Sequence, residues 1–305
     1  MHVAVTGGSG RLGRSVVEGL RATGHQVSSI DRTTSGQLHE IAADLTDAAQ
    51  AAETFETLRP DALVHLAAIA VPFSAPERTI FEVNTGMGFT VMEAAINAGV
   101  TRILVASSPT VLGYGRPGWN PGRLPLDEQL IPEPAHAYAL SKVVLEKMVT
   151  TFALNSPGVR LAAFRPCYVI APEEWEGLPT QQGHTVEDRL ADPALAAVSL
   201  FNYVDARDAS DFVHTWLTTE DSPSGACYFV SAADSLSVRP PSELLAEHLP
   251  EIADLAEGLD GQASLFSIDA ARHDLNWEPT RSWRDQLNAE ALARLGVTTT
   301  ERTTA

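Results

Sequence analysis

The chain has 305 residues, of which 44 % are hydrophobic and 20 % are charged, so it is long enough for two globular domains. Its formal net charge of −18 argues against nucleic acid and anionic membrane surfaces as partners, because both attract clustered Lys and Arg. Cys167 and Cys227 form neither a disulfide framework nor a metal-binding pattern, so we expect no metal. The first residues lack a basic stretch followed by a long apolar run, so we expect no signal peptide and a cytoplasmic location.

The first two-thirds of the chain alternates β-rich runs with helical patterns. We predict strands at 3–5, 27–30, 41–43, 62–66, 102–106 and 160–164, and helices at 11–22, 48–58, 79–98 and 137–155. This alternation predicts an α/β fold in which a parallel sheet carries helices on both faces. After Pro166 we predict a loop at 171–183, strands at 201–204 and 228–231 that return to the sheet, and a helix at 209–218.

A glycine-rich turn separates the first strand from the first helix. Gly7, Gly10 and Gly13 stand there, and a pyrophosphate that approaches the N–H groups of a helix N-terminus leaves no room for a Cβ. An ordinary strand-to-helix turn is the alternative. Asp31 ends the second strand, where its carboxylate would bind ribose hydroxyls and repel a 2′-phosphate, which favours NAD. Arg32 follows directly and keeps NADP possible.

The third strand is followed by Asp44 and Leu45. Asp44 is placed either to meet the adenine amine of a dinucleotide or to serve as an acid near the start of the next helix.

Tyr138 and Lys142 are four residues apart, so a helix would present both on one face. A free phenol has a pKa of about 10, and a neighbouring ammonium and a positively charged nicotinamide would both favour the phenolate. We therefore expect Tyr138 to act as the base that takes a proton from a substrate hydroxyl, while Lys142 lowers the pKa of Tyr138 and holds the nicotinamide ribose. Ser108, at the end of the fifth strand, is the expected donor to the substrate oxygen, with Ser107 as the alternative.

Together these residues resemble the extended short-chain dehydrogenase/reductases, also called the NAD-dependent epimerase/dehydratase family. The resemblance also rests on the segments 65–68, 107–113, 165–166 and 203–208, and on a late motif at 275–279 in which Asn276 replaces a glycine. It implies a Rossmann fold with bound NAD and a small C-terminal substrate lobe. We accordingly expect an NAD-binding domain at 1–166 with 201–231 returning to the sheet, a substrate lobe at 167–200 and 232–296, and a disordered tail at 297–305.

The resemblance assigns residues to two roles. The catalytic residues it implies are Ser108, Tyr138 and Lys142. The cofactor contacts it implies are Gly7, Gly10, Arg11, Leu12, Gly13, Asp31, Arg32, Asp44, Leu45, Leu66, Ala67, Ala68, Asn84, Tyr138, Lys142 and Arg165.

The family divides by reaction. Its dehydratases carry an Asp–Glu pair where this chain has Pro109 and Thr110, and its epimerases usually carry a tyrosine where this chain has Leu112. Residues 106–113, the serine segment, are more similar to the corresponding segment of uronate (aldose) dehydrogenases. We therefore expect hydride transfer between NAD and a sugar-like compound, with a nucleotide-sugar epimerase that retains NAD as the alternative. Arg189 and Arg207 are candidates to hold a diphosphate, or else form structural ion pairs.

Several further residues are singled out with two interpretations each. His65 and Asn84 are interpreted as structural rather than catalytic, and His136 either lines the pocket or precedes the helix. The loop 173–182, which contains Trp175, either covers the substrate or is an ordinary loop. Tyr168 and Asn202 are candidate sugar contacts. The resemblance also implies a homodimer in which the helices at 79–98 and 137–155 pair.

Overall fold

The computed structural model describes residues 1–34, 36, 39–259 and 261–297. The first part of the chain forms β1 (His2–Thr6), α1 (Arg11–Ala22), β2 (Gln26–Asp31), β3 (Glu40–Ala42), α2 (Ala48–Leu58), β4 (Ala62–His65), α3 (Glu77–Asn97), β5 (Arg102–Ala106), α4 (Ala137–Asn155) and β6 (Arg160–Pro166). The second part forms β7 (Val169–Ile170), α5 (Pro172–Trp175), α6 (Val186–Ala191), α7 (Pro193–Ala197), β8 (Val204–Asp205), α8 (Ala206–Thr218), β9 (Ala226–Val230), α9 (Pro241–His248), α10 (Asp269–Leu275), α11 (Trp283–Gln286) and α12 (Ala289–Arg294). Two 3-10 turns lie at Pro109–Leu112 and Pro250–Ala256.

Seven strands form one parallel sheet in the order β3-β2-β1-β4-β5-β6-β9. The strand order reverses at β1, which lies between β2 and β4, and ligands of open α/β sheets bind outside the carboxyl ends of the strands at such a point. The glycine-rich turn leaves β1 there, and the serine segment leaves β5 at the same edge. The predicted Rossmann-type α/β fold is therefore confirmed.

Apart from the edge strand β3, the strands are largely buried on both faces, which explains why β4 and β5 read as nearly continuous apolar runs. In β1, Val3 and Val5 join the core cluster that contains α1 and α8, whereas Ala4 joins the cluster that contains α2, α3 and α4. Successive side chains of a strand point to opposite faces, so β1 contributes to both clusters.

For one predicted strand, the expected pairing partner is wrong. We expected 201–204 to return to the central sheet, but β8 pairs with β7 in a separate two-stranded sheet, and only β9 joins the seven-stranded one. Asn202 precedes β8, and its Oδ1 accepts a hydrogen bond from the Tyr168 N–H at 2.7 Å, which holds the two short segments side by side. Such long-range pairing has no local sequence signal.

A third core cluster lies away from the central sheet. It contains Trp175, Tyr203 and Trp283, and the Tyr203 hydroxyl donates to Asp234 Oδ1 at 2.5 Å while accepting from the Trp283 N–H at 2.8 Å. Val297, the first residue of the predicted disordered tail, is buried in this cluster, and residues 298–305 lie outside the described part of the chain. The proposed division into two lobes stays a prediction. Within the described ranges, no helix has both the length and the apolar character needed to cross a bilayer.

Candidate active site

A cleft of about 1140 Å³ opens at the carboxyl edge of the central sheet. Its walls come from the glycine-rich turn, the ends of β2 and β3, the 66–73 loop, the serine segment and the first turn of α4. Most of the predicted site residues meet there, namely Gly7, Gly10, Arg11, Leu12, Gly13, Asp31, Arg32, Asp44, Leu45, Leu66, Ala67, Ala68, Ser107, Ser108, Tyr138 and Lys142.

The glycine-rich turn is packed too closely for side chains. A Cβ on Gly13 would lie 2.1 Å from the Gly7 carbonyl oxygen, and a Cβ on Gly7, whose φ is +71°, would lie 2.8 Å from the Ala67 nitrogen. Helix α1 begins after Gly10 with no side-chain cap and no acidic residue in its first turn. Its first N–H groups therefore face the cleft as a binding surface for an anion, and the turn fits a pyrophosphate.

Asp31 and Asp44 line the same side of the cleft. The Asp31 carboxylate accepts from Ser9 Oγ at 2.6 Å and from the Arg32 N–H at 2.8 Å, so it is held at the end of β2. Asp44 Oδ1 accepts from the N–H and the hydroxyl of Thr46, which lowers the pKa of Asp44. The N-cap of α2 is Asp47, so Asp44 is not the cap itself.

Two predicted cofactor contacts lie elsewhere. Asn84 does not line the cleft; its Oδ1 accepts from the Ile69 N–H at 2.8 Å and its Nδ2 donates to Ser141 Oγ at 3.2 Å. It therefore holds the cleft-lining 66–73 loop against α4, which agrees with the structural interpretation. Arg165 also lies outside the cleft lining, because its guanidinium is buried in a two-point ion pair with Glu146.

Tyr138, Lys142 and Ser108 form the reactive end of the cleft. Lys142 is 3 % exposed; its Nζ donates to the Ala106 carbonyl at 2.7 Å and lies 5.6 Å from the centre of the Tyr138 ring. Ser108 Oγ lies 2.9 Å from the Thr110 hydroxyl and accepts from the Thr110 N–H at 3.3 Å, which begins the 3-10 turn after β5. One helix face and one strand end thus bring a phenol, an ammonium and a hydroxyl together.

The expected direction of the Tyr138 pKa is corrected by the structure. Burial raises the pKa of Tyr138 to about 12, and interaction with the Ser108 hydroxyl only partly opposes this. Lys142 is engaged by the Ala106 carbonyl, and burial lowers its own pKa to about 8. The loss of hydration, which disfavours the charged form of each group, is therefore larger here than the attraction that the four-residue spacing suggested.

The two serines after β5 have different partners. Ser107 Oγ donates to Glu146 Oε1 at 2.5 Å, whereas the Ser108 hydroxyl contacts Thr110 within its own turn and interacts with the Tyr138 hydroxyl. Ser108 therefore keeps a hydroxyl that can reach a substrate oxygen, which supports it over the alternative.

The two histidines near the site have different roles. His65 is 2 % exposed, its Nδ1 lies 2.7 Å from the Thr6 hydroxyl, and burial beside the charge of Lys142 lowers its pKa to about 3. It is a neutral core residue at the junction of β1 and β4, as expected. His136 fits both of its interpretations, because it caps α4 by accepting from the Ala139 N–H and also stacks on the Tyr138 ring at the cleft wall.

The far end of the cleft carries buried polar atoms. Tyr168 Oη and Asn202 Nδ2 are buried without a hydrogen-bond partner among the described residues, and both side chains line the cleft. Beneath them, Arg189 is fully buried, stacks 4.1 Å from the centre of the Tyr168 ring and donates to Gln182 and Ser199, and no carboxylate pairs with it in the part of the chain described. This end of the cleft can thus bind hydroxyl groups next to a fixed positive charge.

The other sequence candidates take structural positions. Arg207 pairs with Asp205, and Trp175 is buried and donates to the same carboxylate at 2.8 Å, so Trp175 does not cover the cleft. Gln181 and Gln182 from the same loop do line it. Sequence reasoning missed Tyr114, a partly buried cleft residue whose pKa is raised by the loss of hydration. Its position directly after Gly113, which ends the serine segment, is a signal that could have found it.

Known proteins resemble the chain in sequence and in fold. The NAD dependent epimerase/dehydratase family matches residues 3–227. An L-arabinose 1-dehydrogenase (NAD(P)(+)) of Haloferax volcanii is 31 % identical over 57 % of this chain and 69 % of its own length. A UDP-glucose 4-epimerase of Lacticaseibacillus casei is 29 % identical over 54 % of this chain and only 50 % of its own length.

Two solved structures show the same fold. A short-chain dehydrogenase/reductase superfamily protein from Agrobacterium tumefaciens with bound NAD has a TM-score of 0.71 and 22 % identity over 96 % of this chain and 97 % of its own. A mutated uronate dehydrogenase has a TM-score of 0.65 and 19 % identity over 94 % and 85 % of the two chains. The family match covers most of the chain and includes the glycine-rich turn, the serine segment and the tyrosine–lysine pair. The chain belongs to the NAD-dependent epimerase/dehydratase family.

Proposed function

We propose that this protein is an NAD-dependent oxidoreductase that transfers hydride between the nicotinamide and the hydroxyl or carbonyl carbon of a sugar-like substrate. The observation that carries the proposal is the meeting of Ser108, Tyr138 and Lys142 in the cleft that starts at the glycine-rich turn. NAD, when bound, supplies the hydride acceptor. The close-packed glycines and the uncapped start of α1 would hold its pyrophosphate, and Asp31 would hold the adenosine ribose.

The chain's own residues then handle the proton. Ser108 positions the substrate oxygen by hydrogen bonding, and Tyr138 exchanges a proton with that oxygen. Because burial raises the pKa of Tyr138 to about 12, the phenol is protonated at neutral pH and can donate to a carbonyl oxygen in the reductive direction. In the oxidative direction the positive charge of Lys142 favours the phenolate that Tyr138 must reach.

The far end of the cleft supports a proposal about the substrate class. The unpartnered Tyr168 Oη and Asn202 Nδ2 support a substrate with hydroxyl groups, and the charge of Arg189 behind them favours one that also carries a carboxylate or phosphate. We therefore expect acidic sugars to be better substrates than neutral ones.

The test is NAD reduction measured against neutral sugars, uronic acids and nucleotide sugars, with NADP in parallel. The Tyr138→Phe variant should lose roughly 10²- to 10⁴-fold of turnover, as expected for loss of a general acid–base group, while calorimetry shows unchanged NAD affinity. Full activity in that variant would overturn the assignment of Tyr138.

A nucleotide-sugar epimerase is the second candidate, supported by relatives named UDP-glucose 4-epimerase. It would retain NAD through purification and convert substrate without a net change in the absorbance of reduced nicotinamide. Net NADH release during turnover would exclude it.

We further propose that the protein is a cytoplasmic homodimer formed through α3 and α4. These two helices pack on each other within the chain and leave Phe89, Leu140 and Leu154 45, 43 and 79 % exposed. An apolar face of this kind on adjacent helices fits a second copy of the same surface.

A further inference from the structure

Glu146 lies on the face of α4 that carries the catalytic pair. Residues 138, 142 and 146 are spaced by four, so their side chains follow one another along the helix. The Glu146 side chain is only 11 % exposed, and its carboxylate accepts from Arg165 Nε at 2.8 Å, from Arg165 Nη2 at 2.9 Å and from Ser107 Oγ at 2.5 Å. A carboxylate this deep and this fully bonded is fixed in place.

Two side chains of α4, one turn apart, hold two consecutive residues at the end of β5. Lys142 Nζ donates to the Ala106 carbonyl at 2.7 Å, and Glu146 accepts from the Ser107 hydroxyl. The next residue is Ser108. Helix α4, which carries Tyr138, is thereby tied directly to the strand end that presents the substrate-facing hydroxyl.

We propose that Glu146 is a positioning residue of this active site, which places its negative charge one helical turn from Lys142 and engages the Ser107 hydroxyl, so that the Ser108 hydroxyl is the one left for the substrate. The catalytic part of this inference rests on the proposed function, whereas the charge of Lys142 can be measured without turnover.

The other ionisable groups named around Lys142 are neutral or already paired, so they do not supply the negative charge that Glu146 supplies. On α4 itself Tyr138 is neutral, because burial raises its pKa to about 12; on β4 His65 is neutral, because burial lowers its pKa to about 3. From β6, Arg165 is already paired with Glu146, and from β9 the Cys227 thiol, whose pKa is raised well above its usual value by burial, faces Glu146 at 3.7 Å.

One further acid lies near this group. Glu128 is engaged by the Phe229 N–H at 2.6 Å, and burial raises its pKa. The negative charge that acts on Lys142 is thus that of Glu146. Burial lowers the pKa of Lys142 to about 8, and the Glu146 charge partly opposes this lowering.

The experiment uses the fact that the chain has two lysines, Lys142 and Lys147. Selective ¹³Cε-lysine labelling then produces two NMR resonances that follow protonation, and the Lys147→Arg variant assigns them. In the parent protein the Lys142 resonance should titrate near pH 8. In Glu146→Gln its midpoint should fall by about 1 pH unit, since an adjacent opposite charge shifts a pKa by one unit or more.

The matched control is Glu53→Gln, which makes the same change at an exposed position on α2 and should leave the Lys142 midpoint at its parent value. If Glu146→Gln does not fold, because Arg165 is left buried without its partner, the double variant Glu146→Gln/Arg165→Gln removes both charges and should still lower the midpoint. A folded variant with an unshifted Lys142 midpoint overturns the inference.

Activity provides a separate readout. The alkaline limit of kcat should move to lower pH in Glu146→Gln by the same amount as the NMR midpoint, whereas a purely structural role would lower kcat equally at all pH values. If no substrate in the panel is turned over by the parent protein, the proposed function fails while the NMR titration still tests Glu146. If the parent is active and the midpoint is unshifted, the inference alone fails.

Discussion

The buried histidine at the end of β4 should make the protein sensitive to mild acid. The His65 pKa is lowered from 6.5 to about 3, first by burial and second by the charge of Lys142, and its Nε2 has no hydrogen-bond partner among the described residues. Between pH 6.5 and about pH 3, His65 is protonated in the unfolded chain but neutral in the folded chain. The free energy of unfolding therefore decreases as the pH falls below 6.5. At pH 7 the effect is close to zero, and at pH 5 it reaches about 2 kcal/mol, from 1.36 kcal/mol per pKa unit over roughly one and a half units.

The perturbation that isolates this effect is His65→Asn, which keeps a polar atom near the Thr6 hydroxyl and does not titrate. Urea unfolding at pH 7 and at pH 5 measures the loss of unfolding free energy for each protein. The parent should lose about 2 kcal/mol more than the variant over this interval, whatever the pH-independent cost of the substitution. The variant His273→Asn, at an exposed side chain, controls for the loss of a histidine in general and should follow the parent. Equal losses in the parent and in His65→Asn would refute the reasoning.

Three further substitutions test other parts of the structure. Gly13→Ala puts a Cβ 2.1 Å from the Gly7 carbonyl oxygen and should weaken NAD binding at least about 10-fold, as measured by calorimetry. The control is Gly86→Ala on α3, where the new Cβ meets no atom within 4 Å. This control should leave the NAD affinity unchanged and raise the free energy of unfolding by up to about 1 kcal/mol. Asp31→Ala removes the carboxylate that would repel a 2′-phosphate and leaves Arg32, which also lines the cleft, as the charged residue at the end of β2. The ratio of kcat/KM for NADP over NAD should therefore rise about 10-fold or more, and an unchanged ratio would show that Asp31 does not select the cofactor. Phe89→Asp places a charge on the exposed apolar face of α3 and α4, next to Phe152, and should prevent dimer formation. Light scattering should then report a monomer, and a dimer that persists would show that the interface lies elsewhere.

Local patterns in the chain were sufficient to predict the parts of the site that depend on neighbouring residues. The glycines at 7, 10 and 13 and the pair Tyr138 and Lys142 lie within one turn and within one helix, so their spacing alone determines which atoms meet. Alternating β and helical runs likewise determined the parallel sheet, and the switch of strand order then located the cleft at the carboxyl ends of its strands.

The remaining features depend on contacts between residues far apart in the chain. Arg165 belongs to the 165–166 segment on which the resemblance rests, and the resemblance implied a cofactor contact for it, but in the folded chain Arg165 is buried in an ion pair with Glu146 of α4. The same carboxylate accepts a hydrogen bond from the Ser107 hydroxyl, whereas the Ser108 hydroxyl contacts Thr110 in its own turn.

The direction of the Tyr138 pKa was also decided by tertiary structure, because the loss of hydration depends on everything that packs around the ring. The sequence by itself therefore determined the fold and the place of the chemistry, through spacings of a few residues. The protonation states and the choice of partners came from burial and from long-range packing, which only the folded chain supplies.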